Sequence, residues 1–233
     1  MTQSKSKHEE LFAELIAKST MKQQVYTAVF ESFKLFKSVA TEMVGQYKKL
    51  PQLKTLPYPV SLEVEHHSDF EFSMKFGGDT LVFIMHTNVF EIPRDHKLMK
   101  SKYVQDDPSR SYCGIVHVYN FLSDSLKYDR VNDLGYLIGR IFINGEKHYF
   151  IDGKSELGFQ STYFGRHKID VKHVDQIVSS AIRYTLGFDL LIPPFEQVKL
   201  LTVNEIKDTI NTMSLKTGKR LGFKFYSDQD LTD

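Results

Sequence analysis

Phe70-Glu71-Phe72-Ser73-Met74-Lys75-Phe76 alternates apolar and polar side chains, Gly77-Gly78-Asp79 follows, and Thr80-Leu81-Val82-Phe83-Ile84-Met85 then runs almost wholly apolar. A period of two puts Phe70, Phe72, Met74 and Phe76 on one face of an extended chain, so the first segment reads as a half-buried strand. The glycines allow the backbone torsions of a tight hairpin, and the apolar run suits a central strand. An antiparallel hairpin of Phe70 to Phe76 with Thr80 to Ile92 is the expectation, with Phe83 buried.

The same grammar extends in both directions. Leu62-Glu63-Val64-Glu65 alternates before the hairpin. After it come Tyr112 to Phe121, Tyr136 to Ile143, His148 to Ile151 and Leu157 to Tyr163. Asn144-Gly145 and Asp152-Gly153 lie where two further hairpin turns would fall. Arg94 to Arg110 is charged, holds Asp106-Asp107-Pro108 and shows no sustained period, which predicts a long surface loop and a candidate contact surface.

Helical periods flank this β-rich core. Val25, Val29, Phe33, Phe36, Ala40, Met43, Val44 and Tyr47 recur at steps of three and four, with Thr20 and Gln23 as a capping box at the start. Leu11, Phe12, Leu15 and Ile16 form an earlier stripe, on a separate short helix or on the same one. Pro51, Pro57 and Pro59 end it. Downstream, Asp170 caps a helix carrying Val174, Ile177, Val178, Ala181, Ile182 and Leu186, which stops at Gly187. Val198 to Leu201 reads as a strand, Thr202 and Glu205 as a second capping box, and Arg220 to Phe225 as an edge strand.

These elements predict an α+β fold: a largely antiparallel sheet, a meander of hairpins, packed against a long N-terminal helix and C-terminal helices. One domain over 1–233 is expected, divided into a helical segment 8–50, a β-rich core 60–164 and a helix-strand-helix segment 170–226.

The 233 residues include 30 basic and 29 acidic side chains, so no global field draws polyanions. The 18 Phe and 12 Tyr supply aromatic packing. Cys113, the single cysteine, lies in an apolar run and reads as a buried thiol. No segment approaches the ~18 uninterrupted apolar residues of a membrane span. A cytoplasmic, soluble protein without a membrane association is the expectation.

Three groups of residues could carry chemistry. Asp133, Asp152 and Lys154 form a two-carboxylate-plus-lysine set of the kind metal-dependent phosphodiester cleavage uses. Gly139-Arg140-Ile141-Phe142, followed by Phe150-Ile151-Asp152-Gly153-Lys154-Ser155 and Gln160, is similar to the core motifs of the PD-(D/E)XK nuclease superfamily, particularly its RecB-like branch. That resemblance implies Mg²⁺ or Mn²⁺ held by two carboxylates, with Lys154 assisting at Asp152. The family's first metal-binding aspartate would fall at Phe142, which cannot ligate a metal, so Asp133 would have to substitute from a different position in the fold.

Glu63, Glu65 and His67 share one strand face while His66 points to the other, so the His66-His67 pair offers a metal only a partial donor set. Lys219, Arg220 and Lys224 combine cations with aromatic neighbours and could meet an anionic ligand or nucleic acid. A non-catalytic binding or interaction domain without a cofactor is the leading expectation, and a divergent metal-dependent nuclease the alternative. The N-terminal helix could also join two copies.

Overall fold

The computed structural model describes residues 2–153, 164–188, 190–192, 194–200, 202–204 and 218–219. Helix α1 (Thr2–Tyr47) is followed by a 3-10 turn at Pro51–Lys54 and then by strands β1 (Leu62–Ser68), β2 (Glu71–Phe76), β3 (Asp79–Met85) and β4 (Phe90–Glu91). Short turns occupy Lys97–Lys100, α2 (Lys102–Asp106) and Pro108–Ser111, before β5 (Tyr112–Leu122) and α3 (Ser123–Lys127). The β6 (Tyr136–Asn144) and β7 (Tyr149–Gly153) hairpin leads on to α4 (Val171–Leu186), β8 (Leu190–Leu191), α5 (Phe195–Val198) and β9 (Gly218–Lys219).

The main sheet has seven strands in the order β1-β2-β3-β5-β6-β7, with β4 pairing the start of β5 beyond the end of β3. Every neighbour is antiparallel, as the hairpin grammar predicts. The α+β class with a long N-terminal helix is therefore observed. Between β2 and β3 only Gly77-Gly78 intervene, and Gly77 takes φ +55°, a torsion that costs glycine little. Phe83 is fully buried on a central strand.

One face of the sheet packs against α1 and α4. Val29, Phe33, Phe36 and Ala40 of α1 meet Phe72, Leu81, Phe83, Val116, Ile141 and Ile143, while Val174, Ile177, Val178 and Ala181 of α4 join the same core. Helix and sheet approach closely at Gly114, where an added Cβ would stand 2.6 Å from Val29 Cγ2. Asp170 caps α4 as expected, accepting from His173 N at 2.8 Å.

Several expectations are corrected. Helix α1 runs unbroken through Thr20, so Thr20 and Gln23 lie inside it and cap nothing. The stripe Leu11, Phe12, Leu15 and Ile16 extends that same helix and is exposed, whereas Val25 to Val44 is buried in the chain's own core. The strand expected from Thr80 to Ile92 ends at Met85, and Phe90–Glu91 leaves to pair with β5. Arg94 to Arg110 is a series of short helical turns rather than an open loop, and it buries Leu98 and Val104.

Asp152-Gly153 is the end of β7, paired with Arg140 and Gly139, and not a turn. Val198 closes the helical turn α5 instead of opening a strand. Residues 203–204 are helical after Thr202. Glu205, the strand expected at Leu157 to Tyr163, and Arg220 to Phe225 lie outside the described residues.

Candidate functional site

In the β6–β7 hairpin the alternation sends Ile141, Ile143 and Ile151 to the helices and leaves Arg140, Phe142, Phe150 and Asp152 on the outer face. Antiparallel register then sets Phe142 opposite Phe150 and Arg140 opposite Asp152. The two phenyl rings stack with centroids 4.5 Å apart and planes 1° from parallel. Arg140 Nε donates to Asp152 Oδ2 at 3.1 Å, Nη2 donates to the same oxygen, and the guanidinium stands 5.4 Å from the Phe142 ring centroid. Cys113 and Ile115 of β5 continue this floor; burial pushes the Cys113 thiol far above its ordinary range.

Phe90 of β4, paired with Cys113, extends the floor. The opposite wall comes from the chain after β4: Ile92, Pro93, His96, Lys97 and Leu98 face the strands across a cavity of about 400 Å³. His96 caps the turn at Lys97–Lys100, its Nδ1 accepting from Leu98 N at 3.3 Å. Ile92, Leu98 and Val104 pack with Cys113, Phe150 and Phe164 into a second, smaller apolar cluster that holds the wall to the sheet.

A polar network fastens the wall further along. Tyr103 donates its hydroxyl proton to Glu146 Oε2 at 2.7 Å and accepts from Asn144 Nδ2 at 2.8 Å. Arg110 Nε donates to Glu146 Oε1 at 3.0 Å, and its guanidinium covers the Tyr103 ring at 4.5 Å. Burial pushes the Tyr103 phenol well above its ordinary value. Burial would also raise Glu146, but the hydrogen bonds from Tyr103 and Arg110 outweigh it and hold the carboxyl below its usual range. Asn144 Oδ1 in turn accepts from the amides of Glu146 and His148, which shapes the β6–β7 turn, with the left-handed residue at Lys147 and not at Gly145. Gly165, at φ +91°, lies against Tyr103, where a Cβ would come within 2.5 Å of the ring.

Of the residues expected to act together, Asp152 lines the cavity and Asp133 does not. Asp133 sits in the connection from α3 to β6, accepting from Ser125 Oγ at 2.6 Å and lying 3.1 Å from Arg130 Nε. Lys154 is outside the described residues. Among those described, no group of three or more His, Cys, Asp or Glu side chains is arranged to hold a metal ion.

Glu63 and Glu65 do share the outer face with His67 through their pairing with Lys75 and Ser73. However, His67 bonds Ser73 Oγ at 2.8 Å and His66 bonds Thr41 Oγ1 at 3.2 Å across the sheet. Lys219 pairs through its backbone with Leu190, and Arg220 and Lys224 fall outside the described residues.

Sequence reasoning singled out Asp152 and quoted Arg140, Phe142 and Phe150 with it only as parts of a nuclease-like motif, not as its companions in a cavity, and it missed His96. The signal was present in the turn: pairing Asn144 with His148 fixes Phe142 opposite Phe150 and Arg140 opposite Asp152. Comparison with protein-family models, curated proteins and solved structures found no match. Among the described residues, no helix is long and apolar enough to cross a membrane.

Proposed function

We propose that this protein is a non-catalytic binding domain, and that the cavity between Phe90–Leu98 and β5–β7 is its ligand seat. The observation that carries this reading is the composition of the cavity: a floor of Ile115, Phe142 and Phe150, with a few polar side chains converging at its rim. Small-molecule sites have that character, apolar for affinity and sparsely polar for orientation. Paired strands supply the floor, and the Tyr103–Glu146–Arg110 network fixes the wall, so the site is formed before a ligand arrives.

A fragment screen by amide NMR tests it. Hits should shift the amides of Phe90, Ile115, Phe142 and Phe150, and Ile115→Phe should abolish them by filling the cavity while the thermal melt stays cooperative. Hits that cluster elsewhere and ignore Ile115→Phe would overturn the reading. Replacing Lys219, Arg220 and Lys224 with Ala should leave cavity binding intact, separating this site from the basic segment near the C-terminus. Metal-dependent cleavage through Asp133, Asp152 and Lys154 makes a different demand. Cutting of DNA or RNA with Mg²⁺ or Mn²⁺, abolished by Asp152→Asn, would replace the binding reading.

A further inference from the structure

The rim of the cavity narrows the chemistry of its ligand. Three basic side chains line it, and each has donor capacity that no described residue takes up. Arg140 gives Nε and Nη2 to one oxygen of Asp152, so the edge formed by Nη1 and the second Nη2 hydrogen is unused. His96 accepts through Nδ1, which leaves the proton of its neutral ring on Nε2. Lys97 stands exposed on its turn.

The two carboxylates at the cavity each have one oxygen engaged, Asp152 Oδ2 by Arg140 and Glu91 Oε2 by the Tyr112 hydroxyl at 2.8 Å. The open donors on Arg140, His96 and Lys97 outnumber the two remaining oxygens, and a fork-shaped guanidinium edge matches a carboxylate. The apolar surface is made of rings. The stacked Phe142 and Phe150, with His96 centred 6.0 Å from Phe150 and Phe90 beside Cys113 on the floor, favour a flat partner.

Resting on the binding reading above, we propose that the ligand is a small aromatic carboxylic acid. Its ring packs on the Phe142–Phe150 pair, its carboxylate takes the unused edge of Arg140, and His96 and Lys97 complete the anion's surroundings. A volume of about 400 Å³ suits a molecule of that size.

The test is an NMR titration of the full chain with 2-naphthoate, with uncharged 2-naphthalenemethanol, with octanoate, and with acetate. Naphthoate should saturate shifts at the cavity amides and bind at least about ten-fold more tightly than the alcohol, because a charge-assisted pair is lost in the alcohol. Octanoate should bind more weakly than naphthoate, and acetate should not saturate. Arg140→Gln should bring naphthoate down to the level of the alcohol and leave the alcohol unchanged. Lys97→Gln, on a turn outside the sheet, should cause a smaller loss and serves if Arg140→Gln does not fold.

Equal affinity of acid and alcohol, tighter octanoate, or naphthoate binding indifferent to both variants would overturn the proposal. If uncharged fragments still seat in the cavity after such a result, the acid class fails and the binding reading stands. If nothing seats there, both fall.

Discussion

The inner face of the sheet is covered by helices of 46 and 16 residues, whereas between Lys97 and Ser111 the outer face is covered by turns of four or five. A long helix presents a continuous stripe, and α1 fits it so tightly that residue 114 opposite Val29 has no room for a side chain. Of the short turns, the first two bury one apolar side chain each, Leu98 and Val104, and leave space between them. The inner face is thus built for stability, and the outer face for a cavity held open by polar fastenings.

The largest effect should come from the inner face. Phe83→Ala removes a fully buried ring that stacks on Phe72 at 4.5 Å, and should cost roughly 3–5 kcal/mol in a denaturant titration. A loss comparable to that of a surface substitution would break the contrast between the faces.

Tyr103→Phe should be milder, about 1 kcal/mol, because it deletes a hydroxyl that both donates to Glu146 and accepts from Asn144. Its sharper signature is local: amide exchange should speed up between Lys97 and Ser111 while the β2–β3 amides stay protected. Uniform loss of protection would mean that the wall and the sheet unfold as one unit.

The smallest effect is on pH dependence. Burial first, then electrostatic repulsion from Arg140 and from the neighbouring His86 ring, hold His117 below its ordinary 6.5. Burial likewise lowers His148. Both imidazoles therefore take up protons more readily in the unfolded chain. Stability is full above about pH 6.5 and falls as the pH drops from there toward the folded values. A slight decrease in melting temperature between pH 7 and 5 is expected, and its slope should flatten in the His117→Gln, His148→Gln double variant. An unchanged slope would remove these two groups from the outer-face energetics.

The same contrast explains what was legible in the sequence. The period from Val25 to Tyr47 is long enough to identify α1, and the Gly77-Gly78 pair fixes the central hairpin, because in both places local chemistry and tertiary packing agree. Between Arg94 and Arg110 the turns exist because Leu98, Val104 and Tyr103 find partners on distant strands, and no local period announces them. Asp152-Gly153 has the composition of a turn, yet the register set at Asn144 carries it into β7 beside Arg140. Asp152 stood out at the end of an apolar run as one member of a set with Asp133 and Lys154. Its environment became visible only when that register and the returning 90–98 segment were known.

Residues 8–20 of α1 are exposed, so the helix overhangs the sheet that buries its later turns. At 1.5 Å per residue its 46 residues span about 69 Å, whereas a sphere with the radius of gyration of a compact 233-residue chain, about 17 Å, is only about 44 Å across. The molecule should therefore scatter and tumble as an elongated particle. Its maximum dimension in solution scattering should be no less than the helix length, and its rotational correlation time should exceed that of a sphere of equal mass.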